Sequence, residues 1–96
     1  MFNIYVVFKC FPGKREAYIK ALNEKGYMDA IRNEDGCIRY DFYFSEKDPN
    51  ELLLIEKWET KAHQEVHIKT PHMAEVLNMN AEYVESAELV EFNIVE

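Results

Sequence analysis

The chain has 96 residues, 48% of them hydrophobic and 14% aromatic, and a net charge of −7. A chain of this length forms one domain with a small core, is too apolar to stay disordered, and carries the wrong sign of charge to bind nucleic acid through its phosphates. No apolar run, Leu52 to Ile55 included, is nearly long enough to cross a bilayer, and Met1-Phe2-Asn3 lacks the basic start and apolar stretch of a signal peptide, so a cytoplasmic protein with no membrane partner is expected.

Phe2 to Lys9 reads as a strand with two largely apolar faces, Ile4, Val6 and Phe8 alternating with Tyr5 and Val7. Pro12-Gly13 ends it. A helix follows from about Lys14 to Arg32, with Ala17, Ala21, Met28 and Ile31 as its apolar stripe, Tyr18 and Leu22 flanking it, and Gly26 marking a break or kink. Asn33-Glu34-Asp35-Gly36 closes that helix, with Gly36 free to take a positive φ. Cys37 to Phe44 is the second strand, with Ile38, Tyr40, Phe42 and Phe44 on one face and Cys37, Arg39, Asp41 and Tyr43 on the other. A turn at Asp48-Pro49-Asn50 leads into the third strand, Leu52 to Trp58, on which Leu52, Leu54, Glu56 and Trp58 share a face. Thr60 caps a short helix from Lys61 to about Ile68, Thr70-Pro71 restarts it to about Asn80, and Ala87 to Val95 is the last strand.

The order β-α-β-β-α-β makes an α+β ferredoxin-like sandwich, with both helical segments on one face of an antiparallel sheet. Cys10 and Cys37 then fall at opposite ends of the sheet, too far apart to bridge. The face without helices still carries Tyr5, Val7, Tyr43, Leu53 and Ile55. An apolar face of that size needs cover, and a second copy of the chain supplies it, so a homodimer is expected.

Trp58 to His72 holds the only Trp and all three histidines. His63 and His67 are four residues apart on one side of the short helix, flanking its Ala62 and Val66 stripe. His72 begins the next helix, whose positive end favours a neutral imidazole. His-x-x-x-His can hold zinc. Here, however, Gln64 follows the first His where a zinc protease has Glu, no Cys or clustered carboxylate completes a ligand set, and the two cysteines form no C-x-x-C, so no metal is expected. Proton handling by His67 and His72 fits these residues better, although a structural hydrogen bond tying the two helical segments would equally occupy His67. Glu56, on a central strand, needs a partner such as Arg39 or a histidine, or a raised pKa. Tyr40 and Trp58 are either plain core or the walls against which a ring binds.

Several motifs follow one another along the chain. They are Pro12-Gly13 between the first strand and helix, Glu34-Asp35-Gly36-Cys37-Ile38-Arg39-Tyr40-Asp41, Asp48-Pro49-Asn50, Ile55-Glu56-Lys57-Trp58-Glu59, and His67-Ile68-Lys69-Thr70-Pro71-His72. This order and spacing resembles the antibiotic biosynthesis monooxygenase family, including its quinol monooxygenase-like members, over nearly the whole chain. The resemblance implies a ferredoxin-like protomer, a homodimer whose sheets pack into a barrel, and a pocket between sheet and helices. It also implies oxidation of phenols or quinols by O2 without metal or flavin. Other relatives degrade haem, and one branch isomerises a phosphorylated sugar. Haem degradation is disfavoured, because His67 stands where such relatives place a second Trp and Leu77 where they place the axial His.

The expected activity is therefore a cofactor-independent monooxygenation of a small aromatic substrate, with O2 as co-substrate. His67 and His72 are the candidate bases, and Tyr40, Trp58 and Glu56 the substrate contacts. Deprotonating a phenol or quinol makes the electron-rich anion that can reduce O2. An isomerase of a small oxygenated metabolite and a non-catalytic small-molecule-binding dimerisation domain are the alternatives.

Overall fold

Strands β1 (Phe2–Cys10) and β3 (Glu51–Trp58) alternate strictly between buried and half-buried side chains along most of their length, and they pair antiparallel from Phe2↔Trp58 to Lys9↔Glu51. The computed structural model describes residues 1–95 and places these two strands at the centre of a four-stranded antiparallel sheet. Strand β2 (Cys37–Phe44) lies outside β3 and strand β4 (Val84–Phe92) outside β1, giving the order β2-β3-β1-β4 expected of a ferredoxin-like sandwich. Helices α1 (Arg15–Glu24), α2 (Tyr27–Arg32), α3 (Lys61–His67) and α4 (Pro71–Tyr83) complete the chain. Val6, Phe8, Leu52, Leu54 and Trp58 from the sheet meet Tyr18, Leu22, Met28, Ile31, Met73 and Val76 from the helices in one core. The opposite sheet face, with Tyr5, Val7, Leu53 and Ile55 half-buried and Tyr43 exposed, is left uncovered.

The first helical region breaks at Gly26, which takes φ 78° and starts α2. Its buried face is Tyr18, Leu22, Met28 and Ile31, whereas Ala17 is exposed and Ala21 half-buried. The break resets the helical phase, so a stripe extrapolated across Gly26 selects the wrong α1 residues. In β2, Cys37 pairs with Trp58 and Arg39 with Lys57, leaving Ile38 as an extra residue in a bulge. Ile38 is therefore exposed rather than sharing the face of Tyr40, and Cys37 turns inward to pack against the core. The last strand starts three residues earlier than the sequence suggests. No Gly or Pro stops α4 at Asn80; it runs on to Tyr83, whose carbonyl accepts from Phe11 N at 3.0 Å, and β4 follows at once. Asn93 to Val95 lie beyond it. Cys10 and Cys37 are free and lie at opposite ends of the sheet, as expected.

Gly36 closes the α2–β2 turn with φ +79°, and a Cβ built there would meet the His63 ring at 2.4 Å. At Gly26 the φ is nearly the same, with nothing within 4 Å. Gly26→Ala should therefore cost only the left-handed conformation of an L-residue, roughly 1–2 kcal/mol. Gly36→Ala should cost at least about 1 kcal/mol more, because His63 has to move. Urea unfolding midpoints measure both; equal losses would contradict the packing of His63 on Gly36.

Candidate active site

Helix α3 buries one side chain, His67. The Thr60 hydroxyl accepts from His63 N at 3.3 Å and caps a helix of seven residues that ends at His67. Thr70 caps α4 in the same way, accepting from Met73 N at 3.3 Å, and its hydroxyl donates to the His67 carbonyl at 2.9 Å. Pro71 sits at the first helical position, where its missing N–H costs nothing. It is thus the backbone of His67 that ties α3 to α4, and its ring is left for other contacts. Ala62 and Val66, expected to face the core, are both exposed; His67, 1% exposed, is the inward residue of α3.

The His67 imidazole lies against the Trp58 indole, ring centres 4.7 Å apart and planes 34° from parallel, and presents an edge to Tyr40 at 5.6 Å. Its Nδ1 is 2.9 and 3.1 Å from the two Glu34 oxygens, and His72 Nε2 is 2.7 Å from Glu34 Oε2. Glu34 comes from the α2–β2 turn, where its N–H donates to the Ile31 carbonyl and its carbonyl accepts from Cys37 N. Burial lowers the pKa of His67, against the opposing pull of Glu34. The imidazole is therefore predominantly neutral at neutral pH.

Glu56 is 4% exposed and accepts from Trp58 Nε1 at 3.0 Å. Neither anticipated partner pairs with it. Arg39 points to the other face of the sheet, where it bonds Asp41 at 3.1 Å and also Tyr43, and no histidine is within hydrogen-bonding reach of Glu56 among the described residues. Burial pushes Glu56 up to about 7; the Trp58 hydrogen bond opposes this and the nearby Glu34 charge adds to it. The Tyr40 hydroxyl is raised well above its ordinary value, chiefly by burial, and stays a donor.

Between the sheet and α3–α4 lies a cavity of about 240 Å³. Val6, Phe8 and Leu54 form its sheet side, Met73 and Val76 its helix side, and Tyr40, Glu56, His67, Gln64 and Asn80 its polar groups. Asn80 Oδ1 is the one buried side-chain N or O atom without a partner among the described residues. Exposed Ile68, Leu77 and Leu89 surround the cavity and make its approach apolar. Of the five anticipated site residues, Tyr40, Glu56 and His67 line it. Trp58, fully buried, lies behind His67, and His72 reaches the group only through Glu34.

Glu34 itself was not singled out in the sequence, where it read as a turn residue. The available signal was that a buried His needs a partner and α3 offers none. Carboxylates also do cluster with one histidine, contrary to the sequence reading. Asp35, Glu59 and His63 bring their polar atoms within 4.8 Å of one another, at a surface site distinct from the cavity.

The Glu56 shift has a definite sign. Its folded pKa, about 7, exceeds the ordinary 4.5, so the folded state holds an extra proton between those values and stability falls as pH rises through that window. Glu56→Gln keeps an oxygen for Trp58 and removes the titration. Relative to the native chain it should gain up to about 3 kcal/mol on going from acidic pH to pH 8. Thermal unfolding of both proteins across that range measures the difference, and a constant gap would contradict a buried, raised Glu56.

No helix of the described residues is long and apolar enough to cross a membrane. Residues 1–78 match the sequence profile of the family described as antibiotic biosynthesis monooxygenase. The chain is 33% identical over 89 residues to an uncharacterized protein of Synechocystis sp., a match that takes in 92% of this chain and spans only 59% of that relative's length. It is 31% identical to the Escherichia coli protein named probable quinol monooxygenase YgiN, covering 83% of this chain and 92% of the relative. Solved structures share its fold. A Pseudomonas aeruginosa protein superposes with a TM-score of 0.85 at 22% identity, covering 99% of this chain and 94% of its own. A Shewanella oneidensis protein superposes with a TM-score of 0.84 at 27% identity, covering 95% and 87%. The chain belongs to the antibiotic biosynthesis monooxygenase family.

Proposed function

We propose that this protein is an oxidoreductase that oxidises a small quinol or phenol with O2 in the cavity between sheet and helices, with His67 as the base. The observation that carries this reading is a buried imidazole, its charging disfavoured by burial, on the wall of a largely apolar cavity that also holds a carboxyl titrating near neutrality. Family membership supports the reaction class, as does the similarity to a protein named a quinol monooxygenase. The volume of about 240 Å³ lies just below the range of roughly 300–1,000 Å³ usual for ligand sites, which suits one ring or two fused rings.

In this reading His67 takes the hydroxyl proton, and the resulting anion gives electrons to O2. For a phenol with a free ring position the balance is phenol plus O2 to quinone plus water. One oxygen atom enters the ring, the other leaves as water, and the proton held by His67 returns to that water. O2 is the co-substrate, and no metal or flavin enters the scheme. Tyr40 donates to a substrate oxygen, and Asn80 Oδ1 accepts from a second hydroxyl. Glu56 in its neutral form donates a hydrogen bond without adding charge to a site that must hold an anion. Trp58 acts through His67 by fixing the plane of its ring. His72 stands one residue removed, behind Glu34, and is the weaker of the two candidate bases.

A second copy of the chain is the partner that suits the uncovered sheet face. Two shallow hollows there, about 290 and 440 Å³, lie around Tyr43 and Leu53 and would be filled by a facing copy. Sedimentation equilibrium should give twice the chain mass, and Leu53→Lys should give a monomer; a monomeric native chain would contradict the dimer.

Oxygen uptake with a panel of hydroquinones tests the chemistry. His67→Ala should lower it by at least about 100-fold, the usual worth of a general base. Full activity in that variant would overturn the assignment of the base. Tight hydroquinone binding with no oxygen uptake would overturn the reaction in favour of an isomerase or a binding domain.

A further inference from the structure

We infer that Glu34 is a positioning residue that fixes the tautomer of His67, with His72 as the second anchor that aims the carboxylate. The inference rests on the reading of His67 as the base. Both Glu34 oxygens face His67 Nδ1, at 2.9 and 3.1 Å, and the same Oε2 faces His72 Nε2 at 2.7 Å. A carboxylate only accepts, so each facing nitrogen carries the proton. His67 is then the Nδ1–H tautomer, and Nε2 keeps the lone pair. Nε2 has no hydrogen-bond partner among the described residues, and the cavity is lined by His67 and not by Glu34. The lone pair is thus left to the side from which a substrate hydroxyl would approach.

The arrangement is built rather than incidental. The His67 side chain is 2% exposed, that of Glu34 12% and that of His72 25%, so the carboxylate is enclosed between an inner and an outer imidazole. The three residues come from α3, the α2–β2 turn and the start of α4, separated by 33 and 38 positions in the chain. Two donors on one oxygen hold the carboxyl plane in place, and Trp58 fixes the plane of the His67 ring. This is the logic by which a buried acid behind a catalytic histidine keeps the imidazole in its productive form. Replacing such an acid by its amide leaves the geometry intact and presents the wrong tautomer.

Nitrogen-15 NMR of the histidine rings in the native chain tests the inference directly, without any substrate. His67 should show a protonated Nδ1 and a bare Nε2, and Glu34→Gln should raise the Nε2–H form. A native His67 in the Nε2–H form, or a tautomer unchanged by Glu34→Gln, overturns the inference whatever the activity. If Glu34→Gln does not fold, the native spectrum still decides. With hydroquinone turnover as the second readout, Glu34→Gln should lower kcat about 100-fold or more with little change in KM. A switched tautomer with undiminished kcat also overturns the positioning role. A native chain that shows the Nδ1–H form but turns over no hydroquinone supports Glu34 as the group that sets the tautomer and overturns only the proposed reaction.

Discussion

A buried imidazole has two polar nitrogens and no water to satisfy them, and His67 is 1% exposed. Its need for a partner organises the end of the molecule where the cavity lies. Glu34 supplies that partner from a turn that must close tightly, which is why Gly36 adopts φ +79° with the His63 ring against it. The indole of Trp58 supplies the surface on which the ring rests. Trp58 is the last residue of β3, paired with Phe2 on one side and Cys37 on the other. The bulge at Ile38 preserves that pairing while keeping Tyr40 opposite Glu56 on the cavity side. Register, turn and helix cap thus converge on the placement of one ring.

Two carboxyl groups serve this region in opposite ways. Glu34 accepts from two imidazoles and anchors them. Among the described residues Glu56 has only the Trp58 N–H as a hydrogen-bond partner, and burial drives it toward the neutral form. Environments that push neighbouring titratable groups apart are how a site assigns different proton-handling tasks to similar side chains. Here they leave an imidazole whose charging is disfavoured by burial, a carboxyl that titrates near neutrality and an un-ionised tyrosine around a largely apolar space in a chain of net charge −7.

The strands and both helix caps were legible because they rest on local chemistry: alternation in β1 and β3, Thr60 and Thr70 before helical runs, Pro71 at a first turn. The break at Gly26 was legible for the same reason, but its effect on helical phase was not, so Tyr18 and Leu22 displaced Ala17 and Ala21 from the core. The bulge at Ile38 and the early start of β4 depend on pairing with strands distant in sequence, and no local pattern records them. In the site, Tyr40, Glu56 and His67 could be chosen by residue type and strand face. Glu34 could not, because its two partners lie 33 and 38 residues away and its own surroundings read as a turn. The separation of Arg39 from Glu56 follows from strand parity, 39 and 40 lying on opposite faces, and the sequence contained it.

The proposed chemistry requires that the space between sheet and helices, rather than the uncovered sheet face, receive the ring. Chemical-shift mapping of the labelled protein titrated with a hydroquinone under anaerobic conditions measures this directly. Shifts should concentrate at Tyr40, Glu56, His67 and Asn80. Shifts confined to Tyr43, Leu53 and Ile55, with the cavity residues unmoved, would contradict it.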